Sequence, residues 1–175
     1  MKNKSLLTLL VTILVTAALL FGVSAGLSGI RRANAEKAHL ETMQTLLPGS
    51  TTFTVEPYTG DDANIRSVHK GETGFVIETV TQGYAGEITM LIGVSNDGKV
   101  TGLVIRDMHE TYGLGWKALN DVDFLVQYLN TSGDAAADAI SGATVTSKAV
   151  TRSVNSAVAY VTGADASSSA TTWGG

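Results

Sequence analysis

The chain has no cysteine. That excludes a disulfide framework, a cysteine-ligated iron–sulfur cluster and a lipoprotein anchor, and it leaves the compartment open. Histidine is sparse: His39, His69 and His109 lie far apart in sequence, without ligand spacing, so no metal centre is expected. Basic charge is missing where a nucleic acid would need it. Lys2, Lys4, Arg31 and Arg32 all fall within residues 1–35, which contain no acid. The remainder holds eight basic and sixteen acidic residues, a net charge of −8. An acidic domain without a basic cluster excludes nucleic acid as a partner. It also disfavours docking on anionic lipid, so membrane attachment must come from the N-terminus.

The N-terminus offers that attachment. Leu6 to Ile30 contains no charged residue and is rich in Leu, Val, Ala and Ile; about 20 apolar residues suffice to span a bilayer. Two readings meet here. Ala33-Asn34-Ala35 looks like a signal-peptidase site behind a basic n-region of Lys2 and Lys4. The apolar run, however, exceeds a usual signal core, and Arg31-Arg32 separates it from the candidate site. An uncleaved anchor over residues 6–30 is the expectation. Basic residues flank both of its ends, so the positive-inside comparison nearly ties.

Beyond the anchor, Glu36 to Leu47 reads as a helix with Leu40, Met43 and Leu47 on one face, stopped by Pro48-Gly49. Residues 31–49 are expected to form a stalk. Residues 50–73 are expected to hold a short strand near Phe53 and Val55, then loop. Gly74 to Gln82 reads as a strand, turned by Gly83-Tyr84-Ala85-Gly86. Ile88, Met90, Ile92 and Val94 alternate with other residues in a second strand, Asn96-Asp97-Gly98 makes a hairpin turn, and Val100 to Met108 is a third strand. This meander is read as scaffold. Trp116 to Asn130 has helical tendency, with Phe124 and Tyr128 as core aromatics and Trp116 as a stacking candidate. Asn130 to Ala137 is a polar linker, and residues 164–175, small and polar, are expected to form a disordered tail.

Two loops draw attention as places for a ligand. The third strand delivers His109-Glu110-Thr111-Tyr112-Gly113-Leu114-Gly115, where glycines on either side of a leucine permit close backbone approach to a flat molecule. Further on, Asp138-Ala139-Ile140-Ser141-Gly142-Ala143-Thr144 runs into a helix whose Val150, Val154, Val158 and Val161 share one face. Thr146 or Ser147 is expected to cap it. A loop of small residues entering a helix N-terminus presents free amides and the positive end of the dipole, which suits a phosphate. A surface turn in the first case and a plain helix cap in the second explain the same residues.

The stretch Asp138-x-x-Ser141-Gly142-Ala143-Thr144 resembles the flavinylation motif of the FMN-binding domains in the G subunit of the Rnf complex and the C subunit of the sodium-pumping NADH:quinone reductase. Glu110, Thr111, Gly113, Leu114 and Gly115 match a second family stretch, whose backbone lies against the flavin ring. Tyr112 stands where that family has proline, and the residue the family carries between His and Glu is missing after His109. Phe124, Gln127 and Tyr128 resemble a further family element. The resemblance covers the chain from the N-terminal helix to about residue 162.

The resemblance implies FMN as cofactor, joined by a phosphoester to Thr144, with Asp138, Ser141, Gly142 and Ala143 belonging to the modification motif. It implies an α+β fold: an N-terminal transmembrane helix, then an FMN-binding domain (50–163) whose antiparallel, half-barrel-like β-sheet packs against helices. It places residues 1–5 in the cytoplasm and the domain outside the cell (inner) membrane. The implied function is electron transfer between ferredoxin and NAD within an Rnf complex coupled to Na⁺ or H⁺ translocation, with no complete active site on this chain alone. The implied partners are integral membrane and iron–sulfur subunits, and a Mg-dependent flavin transferase for maturation. The quinone-reductase C subunit, a stand-alone anchored extracellular flavin carrier, the FMN domain of a surface reductase and a non-redox anchored module are the alternatives.

Overall fold

The computed structural model describes residues 2–133 and 137–164. Residues 165–175 of the expected tail, and 134–136 of the expected linker, lie outside the described residues. The chain divides into two units, Met1–Glu41 and Thr42–Gly175.

Helix α1 runs over Lys2–Leu46, so the sequence expected to form anchor and stalk belongs to one helical element. Its apolar side chains in the first unit are bare: Leu14 is 71% exposed, Leu20 72% and Phe21 78%. This stretch is long and apolar enough to cross a membrane, and apolar surface on that scale marks contact with lipid or protein.

In the second unit, five strands form one open antiparallel sheet in chain order: β1 (Thr54–Glu56), β2 (Ile65–Lys70), β3 (Gly74–Gln82), β4 (Glu87–Ser95) and β5 (Val100–Met108). The last three follow the expected boundaries because their side chains alternate at period two. Strand β2 departs from expectation, since this stretch read as loop. A bulge between Ile65 and Ser67 shifts its register against β3. Its two buried apolar residues, Ile65 and Val68, therefore stand three apart, and a period-two reading misses them.

The Trp116–Asn130 stretch splits into two short helices, α2 (Gly115–Leu119) and α3 (Val122–Leu125), followed by a 3₁₀ turn over Val126–Tyr128. The break comes at Asp121, whose side chain caps α3 by accepting from the Phe124 N–H. Helix α4 (Thr144–Thr162) closes the unit.

Both faces of the sheet are covered. On one, Ile77, Ile88, Met90, Ile92 and Val94 meet Val150, Val154 and Val158 of α4, with Phe124 and Tyr128 completing the core. On the other, Val76 and Leu91 meet Met43, Leu46 and Leu47 at the end of α1. The packed face of α4 also carries hydroxyls, and these are paired as buried polar groups must be. The Thr81 hydroxyl lies 2.9 Å from that of Ser153, and Tyr128 Oη lies 2.7 Å from Thr151 Oγ1. Burial pushes the Tyr128 phenol up to about 12, against the lowering effect of the Thr151 bond.

The segment after α1 is clamped to the β2–β3 turn by Glu72. Its carboxylate accepts from the hydroxyls of Thr52 (2.9 Å) and Thr51 (3.1 Å) and from both their amides. These bonds, led by the Thr52 hydroxyl, lower its pKa from 4.5 to about 2. The unfolded chain therefore takes up this proton first, and the clamp's contribution is complete above pH 4.5 and lost as pH falls towards about 2. Thermal unfolding followed across that window should show native protein losing stability more steeply than Glu72→Gln. Parallel acid profiles for the two proteins would rule the clamp out.

Candidate functional site

Helix α4 begins at Thr144, two residues ahead of the Thr146 and three ahead of the Ser147 expected as caps. Gly142, at φ +81°, turns the chain in the left-handed region that favours glycine. The Ala143 N–H closes the turn on the Ile140 carbonyl at 2.9 Å, so the chain is already helical at Thr144. Ala143 stands at the cap position with no side-chain bond. The Ser147 hydroxyl serves the loop instead: it accepts from the Ile140 N–H (3.2 Å) and donates to the Ala143 carbonyl (3.0 Å). The first intrahelical bond is Ser147 N–H to Ala143 O. The amides of Thr144, Val145 and Thr146 precede it, as the orphan donors of a first turn do. Thr146 is buried and Thr144 is exposed.

This N-terminus forms one wall of a cleft of about 320 Å³. Gly142, Ala143, Thr144, Val145 and Thr146 line it on the α4 side, Thr111, Leu114 and Gly115 on the other, and Tyr84 from the β3–β4 turn. The two loops singled out in the sequence thus face one space, and Leu114 approaches the Gly142 backbone. Among the described residues, no lining residue is charged, and Tyr84, Leu114 and Val145 are 71%, 52% and 47% exposed. The site combines amide donors and hydroxyls at one end with apolar walls, which accommodates an anionic group attached to a flat apolar ring.

The remaining expected residues stand around the cleft. Gly113, at φ +89°, has open space where a Cβ would project and lies outside the lining, as do Ser141 and Asp138. The Asp138 N–H donates to Gln127 Oε1 at 2.8 Å, so the 3₁₀ turn pins the start of the 138–144 loop. Glu110 sits behind the wall. Its Oε1 accepts from the Tyr84 N–H at 2.7 Å, and its Oε2 is 3.4 Å from the Ala85 nitrogen. Trp116 packs on Tyr112, with ring centroids 5.4 Å apart, and does not line the cleft. His109 is exposed, with its backbone beside Gly86.

Tyr84 and Val145 line the cleft without having been expected there, and Thr146 was expected only as a cap; Tyr84 was read as part of a scaffold turn. The available signal for Tyr84 was an aromatic residue at the tip of a Gly-x-x-Gly turn, a position with no core to fill.

Residues 83–159 match the FMN-binding domain family. The chain is 32% identical over an alignment 179 positions long, gaps included, to the G subunit of the ion-translocating oxidoreductase complex of Methanosarcina acetivorans, covering 91% of this chain and 94% of that one. It is 38% identical to the G subunit of the Na⁺-translocating ferredoxin:NAD⁺ oxidoreductase complex of Acetobacterium woodii, over 49% of this chain and 47% of that one. It is also 38% identical to the G subunit of the proton-translocating ferredoxin:NAD⁺ oxidoreductase complex of Clostridium ljungdahlii, over 50% and 53%. The matched stretch thus spans about half the length of the last two relatives and nearly all of the first. By its FMN-binding domain and its near full-length match, the chain belongs to the G-subunit family of ion-translocating oxidoreductase complexes.

Proposed function

We propose that the chain is the flavin-carrying G subunit of an Rnf complex, with FMN joined by its phosphate to Thr144 Oγ1 and electrons passing between ferredoxin and NAD. The observation that carries this reading is an exposed hydroxyl, Thr144, at the first position of a 19-residue helix and on the wall of a cleft. Attachment is a substitution at phosphorus catalysed by the flavin transferase. The Thr144 Oγ1–P bond forms as the P–O bond to the donor's leaving group breaks, and the hydroxyl proton departs with that group, so that the chain gains FMN less one water. The diester keeps one negative charge, which the first-turn amides and dipole of α4 stabilise by roughly 0.3–1 kcal/mol. When bound, the isoalloxazine supplies the redox chemistry; the chain positions it and tunes it. Tyr84, Leu114 and Val145 would provide apolar walls for the ring, with Thr111 also on the lining. A covalent bond retains the cofactor where no cytosolic flavin pool can replace it.

The same reading gives residues 1–5 to the cytoplasm, 6–30 to the bilayer, 31–49 to a stalk and 50–163 to an extracytoplasmic domain. It makes the partners integral membrane and iron–sulfur subunits, and it requires a Mg-dependent flavin transferase for maturation. The sodium- and proton-translocating relatives match the chain at the same identity, so the reading accommodates either ion.

Protein purified from its native membrane should be yellow, with a flavin absorption spectrum and a fluorescent band that survives a denaturing gel. A colourless protein would overturn the reading. Topology has its own check: protease added to right-side-out spheroplasts should digest the domain, and the native chain should retain residues before Ala35. A mature chain starting at Glu36 would remove the anchor.

A further inference from the structure

Three segments distant in sequence build the cleft, and the Glu110 side chain ties the β3–β4 turn to the 110–115 segment. Glu110 receives the Tyr84 N–H from the β3–β4 turn, 26 residues away, with the Ala85 amide also within reach. The same carboxylate fills the space beside two glycines. A Cβ on Gly83 would collide with Glu110 Oε1. A Cβ on Gly115 would collide with Glu110 Oε2 and would come within 2.8 Å of Thr146 Oγ1. The carboxylate therefore lies between the turn that carries Tyr84 and the first residue of α2, whose Cβ position also faces Thr146 of α4. It is not part of the lining itself, and among the described residues every one that lines the cleft is uncharged.

We propose that Glu110 is a positioning residue that seats Tyr84 at the cleft, and that its fixed negative charge behind the cleft wall lowers the midpoint potential of the flavin. This rests on the proposed flavin site. A half-buried negative charge beside the cleft wall opposes the electrons a ring in the cleft would accept. Glycine at 83 and 115 is what admits it so close. Seating and charge have one source, so they separate only when charge is kept and reach is lost.

Glu110→Gln and Glu110→Asp make that separation. Glutamine keeps the length but offers one acceptor, and its amide group meets a backbone N–H donor to donor. Aspartate keeps the charge and falls one methylene short. In the flavin-free full chain in detergent, the amides of Tyr84 and Ala85 should exchange with solvent about tenfold faster in both variants. In the flavin-loaded chain, Glu110→Gln should shift the midpoint potential to more positive values, with Glu110→Asp closer to native. Covalent flavin content on the gel should stay at the native level in both. Unchanged exchange would overturn the seating role. An unchanged potential in Glu110→Gln, or equal shifts in the two variants, would overturn the electrostatic role. A native chain that takes no flavin would instead overturn the proposed function, while the exchange measurement would still decide whether Glu110 holds the turn.

Discussion

Thr144→Ala, coexpressed with a flavin transferase, is expected to stay folded and to lose all covalent flavin. The loss should be complete because the bond in question is single. Folding should survive because Thr144 is exposed and the helix cap is Ala143, with no side-chain bond to forfeit; alanine is also the better helix former. Ser141, Thr146 and Ser147 carry hydroxyls close by, and the structure separates them. Thr146 is 1% exposed and Ser147 2%, out of reach of a modifying enzyme. Ser141 is exposed but outside the cleft lining. Thr146→Ala should therefore keep its flavin. Ser147→Ala should keep it too, while losing roughly 0.5–1.5 kcal/mol of stability for each of its two loop bonds. Peptide mass analysis should find FMN less one water on Thr144 alone. A fluorescent band in Thr144→Ala, or a modified peptide carrying the group on Thr146, would refute the assignment.

Gly93→Val is expected to destabilise the domain by about 1–3 kcal/mol or more, the range for forcing atoms into a filled core. Gly93 pairs with Gly102 across β4 and β5, and the two leave a shallow trough on the face opposite α4. The end of α1 lies in it. A Cβ on Gly93 would strike the Leu46 carbonyl oxygen, and one on Gly102 would sit 3.2 Å from the Leu46 Cα. The Thr101 hydroxyl donates to that same carbonyl. The obstacle is backbone, so no side-chain rotation relieves it, and Met43, Leu46 and Leu47 must lift from Val76 and Leu91. Thermal unfolding of the full chain in detergent should show a lowered midpoint for Gly93→Val and a smaller drop for Gly102→Ala. Flavin attachment should persist in the protein that remains folded, since the cleft is built on the helix side of the sheet. A midpoint unchanged in Gly93→Val would mean that the end of α1 is not seated on these strands.

Whatever depends on neighbours within a few residues was legible along the chain alone. Strands β3, β4 and β5 announce themselves through side chains alternating between two faces, and the Asn96-Asp97-Gly98 turn through its residue types. The valine face of α4 was equally legible from its period, and Val150, Val154 and Val158 are indeed buried. So was the family, since its motif is a contiguous run ending at Thr144. Contacts between residues far apart settled the rest. Strand β2 is a strand only because β3 pairs with it through a bulge. Helix α4 starts early because Gly142 turns the chain and because Ser147, which looked like a cap, is bonded back to Ile140 and Ala143. Glu110, matched in sequence to the family's ring-facing loop, lies behind the cleft wall and holds the turn of Tyr84, a residue taken for scaffold. Periodicity reports which way a side chain points along its own element. It carries no information about which distant backbone amide will meet a carboxylate there, as the Tyr84 amide meets Glu110.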